Sequence, residues 1–534
     1  MRLQTQDYIV FFIYFIIVAT YGYWIYRRKR AAENTATDFF LAEGALTWWA
    51  IGASLIASNI SAEQFVGMSG SGFAMGLAIA SYEWMAALTL IVVAVFFMPG
   101  YIRNRIFTMP QFLEKRYSPT VATMMAVFWL LVYVFVNLTS ILYLGAIAVS
   151  TISGFNFTAC TIFLAVFAII ITLGGMKVIG YTDVIQVVVL VLGGLATTYL
   201  ALDLVAQQFG SNGAWTGLGM LREQAPGHFN MIFDRSNPHY KDLPGLTVLI
   251  GAMWVANLNY WGCNQYITQR ALGANLDTAR NGLLFAAFLK LLMPIIVVIP
   301  GIAAYVLHQK GMFQQEMVNA AGEVKPDKAY PVLLNLLGPG LKGLSFAALT
   351  AAIVASLAGK ANSIATIYTL DIHKKYVDKA AGEDKQVRIG RVAIILAMII
   401  AVIVAPQLQR LEQGFQFIQD FTGLISPGVV AIFLLGFFWK RATAFAAFVA
   451  ALVTIPMGLA IKSLLPEVPF LDRMGWVFLA LVALMVVISL ADPKSKNNPK
   501  AMEVDPDTFR TSRTFAIGAT LVIGVLAALY IVFW

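Results

Sequence analysis

About fourteen apolar stretches separated by short polar punctuation run along the chain, near residues 8–26, 46–71, 74–99, 118–150, 157–175, 178–206, 245–262, 276–308, 332–371, 386–405, 411–437, 442–463, 473–492 and 514–534. Most can cross about 30 Å of hydrocarbon as helices. The pattern predicts an all-α polytopic membrane protein with about fourteen transmembrane helices. Two stretches carry polar residues at comparable depth, SNISAEQ (58–64) in the second and ANLNYWGCN (256–264) in the seventh. Breaks inside a bilayer are tolerated where the freed backbone lines a cavity, so a pair of breaks marks a solute site. The alternative, polar side chains joining helices, stays open for each break taken alone. The breaks lie five spans apart, and an odd offset turns a repeated unit upside down.

Composition agrees: of 534 residues, 59% are hydrophobic and 12% charged, and the mean hydropathy is +0.75. The first apolar run is followed by Arg27, Arg28, Lys29 and Arg30 and by no small-residue cleavage pattern, so it reads as a retained span. That basic cluster sets its end in the cytoplasm, and alternation then places Arg103, Lys115, Lys374, Lys440 and Lys494 inside, with both termini outside. The net charge of +9 follows from this loop bias, and nothing in it calls for a nucleic-acid partner. Cys160 and Cys263 lie in or beside spans, and the four histidines show no ligand spacing, so neither a disulfide framework nor a metal cluster is expected. The longest connections, 207–244 and 309–331, are too short for a soluble domain, leaving one membrane domain over 1–534.

At ASLIASNISAEQFVGMSGSG (53–72), SYEWM (81–85) and ANLNYWGCNQYITQR (256–270) the chain resembles bacterial sodium/sugar symporters of the sodium:solute symporter family. Matches at YTDVIQ (181–186), AAFLK (286–290) and FQFIQDFTGLISPG (415–428) extend the resemblance over nearly the whole length. It implies a leucine-transporter-type fold and alternating access. The expected division is an extra helix at 8–26, inverted five-helix repeats at 46–206 and 245–437, and peripheral helices at 442–534.

The resemblance assigns sugar binding to Gln64, Glu83, Asn257, Lys290 and Gln419, with Asn59 and Trp261 in the same interrupted stretches completing the set. The chemistry agrees, because sugar hydroxyls both donate and accept and need carboxylate and amide oxygens beside N–H donors. Glu83 and Lys290 are costly on a lipid-facing helix, which makes an interior role the default; a structural ion pair is the other reading. Tyr260 matches the family's inner gate, and Met68, Tyr82 and Phe415 its outer gate. Ala86 stands where related chains have a serine, and Asn259 replaces a tyrosine, so the identity of the sugar stays open.

For sodium, the resemblance points to carbonyls at Ala57 and Ile60 and to Ala352, Ala355 and Ser356 on the ninth span, with Asp183 on the exit route. One hydroxyl of an expected serine pair is missing at Ala355. Four residues beyond Ser356, on the same helix face, stands Lys360, too deep to reach the interface by snorkelling. The joint change favours sodium-independent transport with the Lys360 ammonium in sodium's place, donating to Ser356 and nearby carbonyls. The alternative is the conventional sodium/sugar symporter, with sodium as coupling ion and Lys360 facing a water-filled vestibule. Arg270 resembles a family arginine near the inner gate. A sugar sensor that does not transport is a third reading. A channel lacks its continuous polar lining, and an enzyme its nucleophile and base. The expected partners are a small sugar and membrane lipid, with no obligate protein partner and no cofactor beyond a coupling ion; the expected location is a bacterial cytoplasmic membrane.

Overall fold

The computed structural model describes residues 3–28, 39–40, 46–61, 63–318, 322–410, 414–502 and 506–534. These are helical almost throughout, and among them the one β contact is an isolated bridge between Val318 and Val324. Eleven helices among the described residues are long and apolar enough to cross a membrane. The difference from about fourteen lies in three places. Phe157–Thr172 is a short apolar helix of 16 residues. The second predicted span is divided into Trp48–Asn59 followed by Glu63–Met75, and the seventh is the short helix Met253–Gly262, which breaks and continues beyond the predicted span as Gln265–Leu272.

Each break is repaired by its own side chains. After Asn59 the Ser61 amide donates to Gln64 Oε1 (3.1 Å), and the Glu63 amide donates to the Ser61 hydroxyl (3.1 Å). The chain then resumes as a wide π-helical turn, Glu63–Met68. At the other break the Asn264 side chain accepts from the Tyr266 amide (3.2 Å) and caps the new helix, while Tyr101 donates to the stranded Gly262 carbonyl (2.6 Å). Another π-helical turn, Tyr133–Leu138, sits in the fourth span. Such turns recur at functional sites because they rotate side chains out of α register.

Close helix crossings depend on small residues. A Cβ on Gly52 would meet the Gly282 carbonyl at 2.7 Å, and one on Gly301 would meet the Ser69 carbonyl at 2.1 Å. These contacts press both pieces of the second span against the long helix Leu276–Gln309. The Leu341–Val377 run lies at the centre, 89% buried in its most apolar window, against 28% for each of Ala444–Leu464, Phe470–Ala491 and Arg513–Val532. The first helix, Thr5–Arg28, reaches the N-terminus of that central helix through Asp7, whose Oδ1 accepts from the Gly340 and Gly343 amides at 2.9 Å each. Outward-facing residues such as Ile16, Leu131, Ile170, Leu192 and Leu521 are exposed, as a lipid-facing surface requires.

Candidate functional site

A cavity of about 90 Å³ lies where the two breaks meet. Every expected sugar residue lines it: Asn59, Gln64, Glu83, Asn257, Trp261, Lys290 and Gln419. So do three expected gate residues, Met68, Tyr82 and Tyr260. The fourth, Phe415, has a side chain outside the described residues.

Glu83 and Lys290 are not independent. The Lys290 ammonium donates to Glu83 Oε2 at 2.5 Å and to Asn59 Oδ1, and lies 5.2 Å from the Trp261 ring. Both are buried, at 2% and 1% exposure, so the ion pair and the cavity position hold together. A ligand hydroxyl meets the pair through the second Glu83 oxygen and the remaining Lys290 proton. Asn59 continues the chain, its Nδ2 donating to the Tyr260 hydroxyl at 3.1 Å. Glu83, Lys290, Asn59 and Tyr260 therefore form one string of contacts from a charged wall to an aromatic ring.

The amides are partly committed. Gln64 Oε1 caps the first break, leaving its NH2 to donate, whereas Asn257 Nδ2 donates to the Met253 carbonyl (3.1 Å), leaving its oxygen to accept. Gln419 Oε1 accepts from Thr422 (3.3 Å), and Asn259 Nδ2 donates to Ser426 (2.9 Å). Thr422, Ser426, Asn137, Asn264 and Glu63 also line the cavity and were not among the expected residues. Glu63 was open to discovery, as an ionisable group inside the polar interruption. Asn137 sits on a π-helical turn that hydropathy does not reveal.

The Lys360 environment differs from the expected one. Its ammonium lines the cavity and stands 4.1 Å from the Tyr266 ring, 5.7 Å from that of Tyr133 and 5.9 Å from that of Tyr260. Among the described residues it makes no hydrogen bond, and the expected donation to Ser356 and the carbonyls is not the contact formed. Ser356 instead donates to the Ser58 carbonyl (2.8 Å) and more weakly to that of Ala57 (3.4 Å). The Tyr266 hydroxyl donates to the same Ser58 oxygen. The two partners are taken separately: the Tyr266 ring face receives the ammonium and the Ser58 carbonyl receives the serine hydroxyl, so they do not meet. Ala57, Ile60, Ala352 and Ala355 are buried around this point and do not line the cavity.

Asp183 belongs to a neighbouring cluster. Ser54 donates to Asp183 Oδ2 (2.6 Å), Arg270 Nε donates to Ser54 (2.9 Å), and Arg270 lies 4.0 Å from Asp183. Asp183 Oδ1 and Arg270 Nη2 are buried without a hydrogen-bond partner among the described residues.

Comparison with known proteins names the architecture. The profile of the sodium:solute symporter family matches residues 39–454. The chain belongs to the sodium:solute symporter family. It is 48% identical to a sodium/glucose cotransporter of Vibrio parahaemolyticus, covering 99% of this chain and 98% of that one. It is 33% identical to the sodium/myo-inositol cotransporter 2 of Sus scrofa, over 86% of this chain and 70% of the relative. Among solved structures it is similar to a sodium-coupled sialic acid symporter, with a TM-score of 0.78 at 21% identity, covering 92% of this chain and 98% of that one. That likeness shows the fold, the leucine-transporter type, in a multi-pass membrane protein.

For this family the coupling ion is sodium. Sodium takes several hard oxygens. Of Ala352, Ala355 and Ser356, only Ser356 offers a hydroxyl, and that hydroxyl donates to backbone carbonyls.

Proposed function

We propose that this symporter-family chain is a secondary transporter, not an enzyme, moving a hexose-like sugar across a bacterial cytoplasmic membrane by alternating access. Both termini lie outside, and the inverted repeats span 46–206 and 245–437. The observation that carries this reading is the cavity at the two breaks. Carboxylate, ammonium and amide groups suited to hydroxyls surround it beside Trp261 and Tyr260, whose faces suit the C–H side of a pyranose. A sugar that engages Glu83 and Lys290 pulls on Asn59 and through it on Tyr260, so binding and the inner gate are mechanically joined.

On coupling, our reading is that transport is independent of sodium. Lys360 and Tyr266 act together in sodium's place. The ammonium lies over the ring, and the ring's hydroxyl donates to the Ser58 carbonyl, so a hydrogen-bond donor backed by a cation meets the end of the broken helix without a free ion. A second reading, conventional sodium/sugar symport, is favoured by Asp183, whose unpartnered oxygen beside Ser54 suits a cation's path. Sugar uptake and counterflow by purified protein in liposomes, with and without sodium, separate the two. Equal rates are expected; sodium-driven accumulation overturns the independent reading, and sugar binding without counterflow identifies a sensor.

A further inference from the structure

Glu83 and Lys290 close on one another in the cavity lining, and the same lining holds Asn137 and Glu63, which stand outside that string of contacts. Asn137 is buried at 6% exposure, lines the cavity, and its side-chain amide makes no hydrogen bond among the described residues. Glu63, beside it on the cavity wall, receives one long hydrogen bond, from Ser140 at 3.4 Å. The Lys360 ammonium lines the same cavity and feels the Glu63 charge without forming an ion pair. Asn137 and Glu63 each sit on a π-helical turn, Tyr133–Leu138 and Glu63–Met68. The Asn137 amide faces the cavity and is not sealed in the packed interior, so it can donate to and accept from a ligand there.

The set is chemically complete for a hydroxyl. Glu63 accepts, Lys360 donates, and Asn137 does both. It repeats in open form the acid, ammonium and amide of Glu83, Lys290 and Asn59, which are closed on one another. We infer that Glu63 and Asn137, with Lys360 in the same lining, form a second recognition edge that binds the ring hydroxyls left free by the Glu83–Lys290 pair. The ligand class is a neutral polyol with hydroxyls on both edges of its ring. Selectivity among epimers then resides on this wall, which the resemblance did not assign. The inference rests on the reading of the chain as a sugar transporter.

The test is counterflow competition in liposomes by D-glucose, D-galactose and their monodeoxy analogues, for the native chain and for Asn137→Ala and Glu63→Gln. Each variant is expected to weaken the preferred hexose about tenfold, the loss of one satisfied hydrogen bond to a buried group. One deoxy analogue, weakened by the same factor in the native chain, is expected to lose nothing further in the matching variant. A uniform loss across all analogues marks a packing role and overturns the inference, as does no loss in either variant. If one variant fails to fold, the other decides by the same criterion. Failure of the native chain to bind any hexose refutes the sugar reading itself, a result distinct from either of the others.

Discussion

Lys290 and Lys360 are two ammonium groups buried at 1% and 2% exposure in walls of one cavity, and they are stabilised in opposite ways. Lys290 has a carboxylate at 2.5 Å and an amide oxygen; Lys360 has three tyrosine rings and no hydrogen bond among the described residues. The first arrangement is directional and local, and removal of one partner strands a charge. The second is diffuse, since a ring face attracts a cation over several ångströms with little angular demand. A lysine in a ring cage keeps its protons available to the cavity, whereas a lysine in an ion pair has already committed most of them.

The largest effect is expected from breaking the pair. Lys290→Met leaves Glu83 unpaired in a buried wall, a change worth about 3–5 kcal/mol, so counterflow should fall by about 100-fold or more. Glu83→Gln with Lys290→Met together should recover part of the fold's stability, read as melting temperature, while transport stays lost; recovery of transport would show that the pair only holds the helices together.

Next is the caged lysine. Lys360→Ala removes a desolvated cation–ring contact of about 2 kcal/mol and should slow sodium-free uptake about 30-fold. Adding Ala355→Ser restores the missing hydroxyl, and the double variant should then respond to sodium. Sodium-free uptake unchanged by Lys360→Ala would refute the stand-in role.

Tyr266 sharpens the contrast, because its ring and hydroxyl serve different partners. Tyr266→Phe keeps the ring over Lys360 and removes the donor to Ser58, for which about a fivefold drop in uptake is expected. Tyr266→Leu removes both and should approach the Lys360→Ala phenotype. Equal effects of the two substitutions would mean that the ring contact carries nothing.

The smallest effect lies in the loop after the central helix. The Asp378 carboxyl is held below the usual carboxylate range, chiefly by the hydrogen bond from Lys385 at 2.5 Å. A depressed carboxylate contributes stability above its unfolded value and loses it as pH falls through its folded value. Lys385→Ala should therefore leave neutral-pH melting and transport unchanged within error and move only the acid end of a melting curve. A clear loss at neutral pH would contradict a solvent-screened pair.

Both breaks were legible in the sequence because a run such as SNISAEQ inside an apolar stretch violates the only pattern that lipid permits. Glu83 and Lys290 were legible for the same reason, though not that they touch, since 207 residues separate them. Ser356 and Lys360 share a helix face, and that periodicity led to an expected contact between them. The fold decided otherwise: Ser58 takes the serine hydroxyl, and Tyr266 takes the ammonium. Asn137 escaped notice because a lone amide in an apolar helix commonly joins helices, and only the cavity distinguishes it from one that does.

By itself the sequence determined what depends on neighbours along the chain. Helices had to form because an apolar run in hydrocarbon must satisfy its own backbone, and breaks had to fall where polar residues interrupt the run. The tertiary structure alone decided which unsatisfied groups meet, that Lys290 finds a carboxylate while Lys360 finds three rings, and that Glu63 and Asn137 face a shared hollow. Those outcomes depend on distances between segments far apart in the chain, and hydrogen bonds and ring contacts are decided by ångströms that no local pattern records.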